Sequence, residues 1–227
     1  RPTLETIPEF IDVVYAIDDG STDNTLKVMK DIASVDSRIQ IIEHSENSGV
    51  GAAIVSGYKR CVEDEMDISV VMAGDNQMSP EYIPNLLDPI VDGQVDYTKG
   101  NRLLTKDYRE GMSGWRFFGN SILTMLTKLS SGYWSMMDPQ NGFTAASREA
   151  LMTIGLDEVF TYYGYCNDIL TKLNVYGFGV KDVNIPARYG DEKSKIKYGP
   201  YILKVSRQLS RNFVWRLKMK YLILSFN

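Results

Sequence analysis

Apolar runs separated by polar turns divide the first hundred residues of the chain into alternating strands and helices. Four short runs rich in branched residues indicate strands, and the stretches between them repeat apolar residues at helical spacing. This alternation is typical of parallel βαβ units and predicts an α/β fold, a mainly parallel sheet flanked by helices. The predicted strands are Ile11–Ile17, Arg38–Glu43, Ile68–Ala73 and Val95–Lys99, and the predicted helices are Leu26–Ile32, Ala52–Val62 and one that begins at Pro80.

Carboxylates follow two of these strands, where the chain leaves the sheet. Asp18 and Asp19 end the first strand, and Asp75 follows the third, with Gln77 two residues later. Ligands of open α/β sheets bind at the carboxyl ends of the strands. Residues two apart on an extended chain point the same way, so Asp75 and Gln77 are candidates to hold one Mg²⁺ or Mn²⁺ ion, which in turn would clamp a diphosphate. A polar turn without a ligand is the alternative.

Composition narrows the function classes. At 227 residues, 44% hydrophobic and 24% charged, the chain fits one soluble domain. Cys61 and Cys166 lack metal-like spacing, and His44 is the only histidine, which disfavours a zinc site or a Ser-His-Asp triad. No Gly-x-Gly-x-x-Gly or Walker-type loop follows a strand, and no signal peptide or run of about 18 apolar residues is visible.

The end of the chain is basic and helical in pattern. Nine lysines and arginines and no acidic residue follow Glu192, so residues 1–192 bear a charge of −13 within the net −4. Tyr201–Asn227 is predicted to be an amphipathic helix, which favours contact with acidic lipid, although packing of its apolar face on the domain is the alternative. An acidic body with no base-stacking surface disfavours nucleic acid as a partner.

Three motifs at this spacing resemble those of inverting glycosyltransferases of family 2, which have the GT-A fold. They are Asp18–Thr25, Asn47-Ser48-Gly49 and Ala73–Gln77. Three later blocks resemble the branch that glycosylates dolichyl or other polyprenyl phosphates: Gly100-Asn101-Arg102, Asp138–Phe143 and Ala187–Ser194. The resemblance extends over nearly the whole chain.

The resemblance implies a role for each matching position. Asp75 and Gln77 would hold the divalent metal, either Mg²⁺ or Mn²⁺, and Asp18 or Asp19 would accept hydrogen bonds from the nucleotide. Arg102 and Arg188 would bind phosphates, and Asp168 stands where relatives that glycosylate hydroxyl groups have a base. The candidate catalytic residues are Asp75, Arg102, Asp168 and Arg188, and the candidate substrate-binding residues are Asp18, Asp19, Asn47, Gly74, Arg102, Arg116, Gln140, Arg188, Ser194 and Lys195.

The implied reaction transfers a sugar from a UDP- or GDP-sugar to a polyprenyl or dolichyl phosphate, at the cytoplasmic face of a membrane. Residues 1–199 would form the catalytic domain and residues 200–227 a juxtamembrane helix; the apolar segment Gly114–Leu129, with Arg116, would lie near the lipid phosphate. The alternatives are transfer to a sugar hydroxyl with Asp168 as base, and a non-catalytic nucleotide-sugar-binding module. Two departures from the family pattern support the last: Ala73 replaces a usual acid, and the usual first strand is expected to be missing ahead of Arg1.

Overall fold

The predicted strands and helices of the first hundred residues form, with shifted ends, in a computed structural model that describes residues 2–103, 114–186, 188 and 198–224. The strands are β1 (Val14–Asp18), β2 (Ile39–Glu43), β3 (Ile68–Val71), β4 (Tyr97–Asn101), β5 (Thr144–Ser147) and β6 (Val180–Asn184). The α-helices are α1 (Pro2–Glu5), α2 (Thr25–Ala33), α3 (Val50–Glu63), α4 (Ile83–Val91), α5 (Gly114–Ser131), α6 (Arg148–Thr153), α7 (Tyr165–Tyr176) and α8 (Tyr198–Lys218). Short 3₁₀ turns lie at Pro80–Tyr82 and Leu156–Glu158, and α8 continues as a π-helical turn, Met219–Ile223.

The described strands form two sheets, a parallel pair and a larger sheet of mixed direction. β1 and β2 pair in parallel, and the larger sheet has the order β3-β5-β4-β6. β5 runs antiparallel to both neighbours, whereas β4 and β6 are parallel, so β3, β4 and β6 all point the same way. The α/β fold predicted from the sequence is confirmed, with β5 as the reversed strand that makes the larger sheet mixed.

The main core lies between the larger sheet and the helices that cover it. Ile83, Leu86 and Ile90 repeat at helical spacing on α4 and are buried against Phe143 and Ala145. Burying each such aliphatic side chain contributes about 1.5–3 kcal/mol. This packing fixes α4 on one face of the sheet. The carboxyl ends of β3 and β4 share one edge because the two strands run in the same direction.

A slot separates β1 from β3. Neither strand edge has a strand partner on this side within the described residues. Alternate residues of β1 and β3 form the main-chain hydrogen bonds to β2 and β5. The residues between them direct their main-chain groups into the slot; these are Tyr15 and Ile17 on β1, and Ile68 and Val70 on β3. The slot has a volume of about 1460 Å³, and α3 and residues 3–11 also line it.

Candidate functional site

The two carboxylates at the end of β1 have different surroundings. The Asp19 carboxylate accepts hydrogen bonds from the main-chain N–H groups of Ser48 and Gly49, both at 2.9 Å, and lies 2.8 Å from His44 Nδ1. Burial acts to raise the pKa of Asp19, but the three hydrogen bonds outweigh it and hold that pKa below its usual value. Asp19 therefore stabilises the turn that precedes α3.

Asp18 is 3% exposed, and its Oδ2 accepts the Ser21 N–H at 3.2 Å. Its Oδ1 is buried without a hydrogen-bond partner in the described part of the chain. An unpartnered buried carboxylate oxygen is costly, since it has lost water without replacement. Of the two predicted nucleotide-binding carboxylates, Asp18 thus has the acceptor that is still available.

The turn before α3 depends on Gly49. Its φ is +97°, and a Cβ there would lie 2.7 Å from the Thr161 carbonyl oxygen. Glycine is required here on both counts. Asn47 is exposed on this turn and donates from Nδ2 to the Asp19 carbonyl at 3.1 Å, so the predicted Asn47 and Asp19 lie together.

A tight turn follows β3 and presents Asp75 and Gln77. Asp75 Oδ1 accepts the Gln77 N–H at 3.0 Å, and Asn76 has a positive φ of 61°. The expectation of an extended chain here is wrong, because the side chain of Asp75 bends the backbone into a turn. Both side chains nevertheless line one cleft, and Gly74 beside them has open space around its Cα.

The cleft gathers four of the predicted residues from three strand ends. Arg102 follows β4 and Arg188 follows β6, and both line the cleft with Asp75 and Gln77. Its remaining lining residues are Met78, Asn141, Phe143, Ile185 and Pro186. Two guanidinium groups beside one carboxylate are suited to a phosphate-rich ligand, since the planar fork of arginine matches phosphate oxygens.

Asp138 orients Arg102 and was missed as a site residue. Arg102 donates from Nε to Asp138 Oδ2 at 2.8 Å and from Nη2 to Oδ1 at 3.2 Å, while the Arg102 N–H reaches Oδ2 at 3.2 Å. The Asp138 side chain is only 2% exposed. Its presence in the Asp138–Phe143 block was the available signal, but its partner lies 36 residues away.

Two further charged groups lie near this pair, Lys99 fully buried and Asp182 half-buried. Lys99 on β4 is fully buried, its Nζ has no hydrogen-bond partner in the described residues, and burial lowers its pKa. Asp182 stands opposite it in the β4–β6 register, and burial raises the Asp182 pKa to about 6. Asp182 Oδ2 also accepts the Met137 N–H at 2.7 Å. The cleft is therefore supported by a buried polar layer, not by apolar packing alone.

Two of the predicted residues lie away from the cleft. Asp168 on α7 is 5% exposed, and its Oδ2 accepts the Phe160 N–H at 3.1 Å. Burial raises its pKa. Gln140 donates to Asn167 Oδ1 at 2.9 Å. Within the described residues neither side chain is among those that line the cleft, so both of these roles stay predictions.

Three predicted residues cannot be placed. Ser194 and Lys195 lie outside the described residues, and so does the side chain of Arg116, although Arg116 itself belongs to α5. Their predicted roles at the acceptor remain predictions.

An apolar stripe runs along α5. Five of its large side chains are between 39% and 63% exposed, namely Phe118, Ile122, Met125, Leu126 and Leu129. They recur at helical spacing on one side of the helix. No helix in the described ranges has the length and hydropathy needed to span a bilayer.

The predicted C-terminal helix forms, and its first half packs on the domain. Val205 and Leu209 of α8 are each 5% exposed, and Gln208 donates to the Gly164 carbonyl at 2.8 Å. Farther along, Val214 and Leu222 are 64% and 65% exposed. The expected amphipathic helix is therefore divided: Val205 and Leu209 near its start are buried against the domain, whereas Val214 and Leu222 farther along are exposed.

Comparison with known proteins gives a family and a fold. A UDP-N-acetylglucosamine–dolichyl-phosphate N-acetylglucosaminyltransferase of Methanococcus voltae is 29% identical over 189 residues, which are 76% of this chain and 75% of that one. A dolichol-phosphate mannosyltransferase of Pyrococcus furiosus is 26% identical over 206 residues, 89% of this chain but 55% of that relative.

Among solved structures, the glucosyl-3-phosphoglycerate synthase of Mycobacterium tuberculosis, in complex with Mn²⁺, UDP and glucosyl-3-phosphoglycerate, superposes with a TM-score of 0.67. It is 20% identical, and the match covers 94% of this chain and 73% of that one. The fold is therefore of the GT-A kind. The profile of "Glycosyl transferase family 2" matches residues 5–155, more than half of the chain, and this chain accordingly belongs to glycosyltransferase family 2.

Proposed function

We propose that this glycosyltransferase moves one sugar from a UDP- or GDP-sugar to a polyprenyl or dolichyl phosphate, with inversion at the anomeric carbon. The observation that carries the proposal is the cleft in which Arg102 and Arg188 face Asp75 and Gln77. Relatives named for transfer to dolichyl phosphate support the choice of acceptor.

The donor would lie along the carboxyl edge of the strands. Asp18 has an unpartnered Oδ1 for a base or ribose hydroxyl, whereas the oxygens of Asp19 are taken up by the turn. The diphosphate would extend toward Asp75, where Gly74 leaves room for close approach. A hydroxyl donor at Asp18 would remove the cost of that buried oxygen.

Asp75 and Gln77 fit a divalent cation that is held mainly by its substrate. One carboxylate and one amide oxygen are hard ligands suited to Mg²⁺ or Mn²⁺. No cluster of three His, Cys, Asp or Glu side chains suited to a metal occurs among the described residues, so most ligands would come from the diphosphate and water. When bound, such an ion supplies Lewis-acid stabilisation of the departing nucleoside diphosphate.

An anionic acceptor makes a general base unnecessary. A lipid phosphate oxygen is already a nucleophile at neutral pH, so the residues must bring two anions together in line. Arg102, held by Asp138, and Arg188 supply the positive charge for this task. The buried position of Asp168 agrees with a reaction in which it abstracts no proton.

The apolar stripe of α5 and the exposed end of α8 would contact the membrane. Large apolar side chains on a helix surface are costly in water and are stabilised at the boundary of lipid head groups and acyl chains. Lys218 lies at the end of α8, near the exposed apolar residues, and would attract anionic lipid. We infer attachment to the cytoplasmic face.

We also infer the division of the chain into a catalytic domain at residues 1–199 and a juxtamembrane helix at residues 200–227. Since the first half of α8 is buried against the domain, the lipid-facing part would be confined to its second half. The slot between β1 and β3 has room for the additional strand expected from the family pattern.

A donor-and-acceptor release assay tests the proposal. A panel of UDP- and GDP-sugars is offered with Mn²⁺ or Mg²⁺, with and without a polyprenyl phosphate in vesicles. The expected result is nucleoside diphosphate release that requires the lipid phosphate and is lost in Asp75→Ala but kept in Asp92→Ala, a control on another exposed aspartate. Release that is indifferent to lipid phosphate would refute the proposed acceptor, and binding of donor without release would indicate a binding module.

A further inference from the structure

His44 links two elements that meet beside the nucleotide edge. It follows β2, and its Nδ1 lies 2.8 Å from Asp19 Oδ1 while its Nε2 lies 2.9 Å from Ser56 Oγ on α3. The His44 N–H also donates to the Asp18 carbonyl at 2.9 Å. The ring is only 17% exposed, so both contacts are largely shielded from water.

The order Ser56–His44–Asp19 is that of a hydrolytic triad, but the surroundings do not support hydrolysis. Ser56 lies in the interior of α3, where main-chain N–H groups are used within the helix. An acyl-transfer site needs such donors free to stabilise an oxyanion. Asp19 is also bound by the Ser48 and Gly49 amides. The three residues therefore act as a structural link.

We propose that His44 is a positioning residue for the donor site, which fixes the Asp19 carboxylate so that it can hold the turn from Asn47 to Gly49 against the end of β1. The inference rests on the proposed function, since it assigns the nucleotide to this edge. Without the ring, the Asp19 carboxylate would keep only the two amide donors and could rotate away from them. The turn that borders Asp18 would then lose its fixed position.

The hydrogen-bond partners dictate the tautomer of His44. A carboxylate oxygen only accepts, so Nδ1 must bear the hydrogen that faces Asp19. In the neutral ring Nε2 is then an acceptor, and the Ser56 hydroxyl donates to it. This Nδ1–H tautomer is a direct signature of the link, and it does not depend on any catalytic activity.

Because His44 is the only histidine of the chain, its ring can be observed without assignment. Imidazole ¹⁵N spectra of the ¹⁵N-histidine-labelled protein, recorded through a pH titration, are expected to show the Nδ1–H tautomer in the neutral form. Asp19→Ala should shift the neutral ring toward the Nε2–H tautomer, because the acceptor that dictates Nδ1–H is lost, whereas Ser34→Ala, at an exposed serine that caps α2, should not. A wild-type ring in the Nε2–H form would overturn the proposal.

Binding and kinetics test the positioning role. His44→Leu should raise the Kd of UDP with Mn²⁺, and the KM of the donor, by roughly ten-fold, the loss expected for one hydrogen bond to a charged group, with kcat within about two-fold. His44→Asn can still donate to Asp19 and should stay within about three-fold of wild type. Unchanged affinity in His44→Leu, or no rescue by His44→Asn when both variants keep the wild-type Tm, would overturn it.

The proposed function and the role of His44 fail in different ways. If neither UDP nor GDP binds the wild-type chain, the donor assignment is refuted, and the positioning role at the donor falls with it. The ring tautomer would then still report whether the link exists. If the nucleotide binds and the wild-type tautomer is Nε2–H, the function stands and the role of His44 is refuted.

Discussion

Replacing Asp138 by asparagine tests whether Arg102 must be held in one orientation, because the variant keeps Arg102 itself and changes only its partner. The asparagine has nearly the same shape and retains one oxygen acceptor, but it has lost the negative charge that faces the guanidinium group. Asp138 is 2% exposed and Arg102 22%, so the pair is largely removed from water. Removing one partner of such a pair lowers the free energy of unfolding by about 3–5 kcal/mol. Because asparagine keeps one acceptor, the loss in Asp138→Asn should lie near the lower end, about 3 kcal/mol.

The effect on catalysis follows from the position of Arg102 in the cleft. A guanidinium group that is no longer held by Asp138 would meet the phosphates in several orientations. Loss of one preorganised donor typically costs about 2.7–4 kcal/mol in transition-state stabilisation, so kcat/KM should fall by at least about 100-fold. Urea unfolding measures the stability change, and the release assay with lipid phosphate measures the rate.

Asp36→Asn is the matched control. Asp36 also forms a fork with an arginine, Arg38, at 2.8 Å and 3.1 Å, but away from the cleft. Its pair is 27% and 25% exposed, so the stability loss should stay within about 1 kcal/mol and kcat/KM should not change. Wild-type kcat/KM in Asp138→Asn, measured under conditions where the variant is folded, would refute the orienting role.

Four further experiments test other parts of the molecule. Asp75→Asn should raise the Mn²⁺ concentration needed for half-maximal turnover by at least about ten-fold, because a charged ligand is lost, and a metal titration measures this. Asp168→Asn should keep kcat within about ten-fold of wild type in the lipid-phosphate assay; a fall of several orders of magnitude would instead identify a base. Burial raises the Asp182 pKa to about 6, so the folded chain binds this proton more tightly than the unfolded chain does, and the free energy of unfolding should fall as pH rises from about 4 to 6. Relative to Asp182→Asn, urea unfolding should show the wild type losing about 3 kcal/mol over that window. Parallel curves of unfolding free energy against pH for the two proteins would contradict this expectation. Ile122→Glu and Met125→Glu together should reduce sedimentation with anionic vesicles while leaving UDP binding unchanged, and equal sedimentation would argue against α5 as a lipid contact.

The first strands could be predicted from the sequence because each is an apolar run bounded by turn residues. Ile68–Val71 is an example: its apolar pattern predicts a strand and the polar residues that follow predict an exposed turn, and β3 forms with Asp75 exposed beyond it. β5 gives no such signal, since Ala145 and Ala146 are poor strand formers. They are fully buried because β3 and β4 flank them and helices cover both faces of the sheet, which is a property of the assembled fold.

The candidate site was predictable to the same extent. Asp75 and Arg102 follow predicted strands whose carboxyl ends share an edge, so their meeting follows from topology, whereas β6, which brings Arg188 to the same edge, was not among the predicted strands. The burial of Asp168 does not, because it requires knowing that α7 is covered on nearly every face. The link from Asp138 to Arg102 was equally hidden, since nothing in the local sequence tells which charge lies opposite a residue 36 positions away.

The slot between β1 and β3 affects how the molecule opens. No ladder of main-chain hydrogen bonds joins the β1–β2 pair to the larger sheet in the described residues, so side-chain packing through α3 and the N-terminal residues must hold them together. Units joined in this way open locally at lower free energy than the global unfolding. The amides of β1 and β2 should therefore exchange with deuterium before those of β4 and β5. In residues 1–227 the distance between Asp18 and Asp75 would vary with that opening, whereas a strand that filled the slot would fix the spacing of the two donor-binding ends.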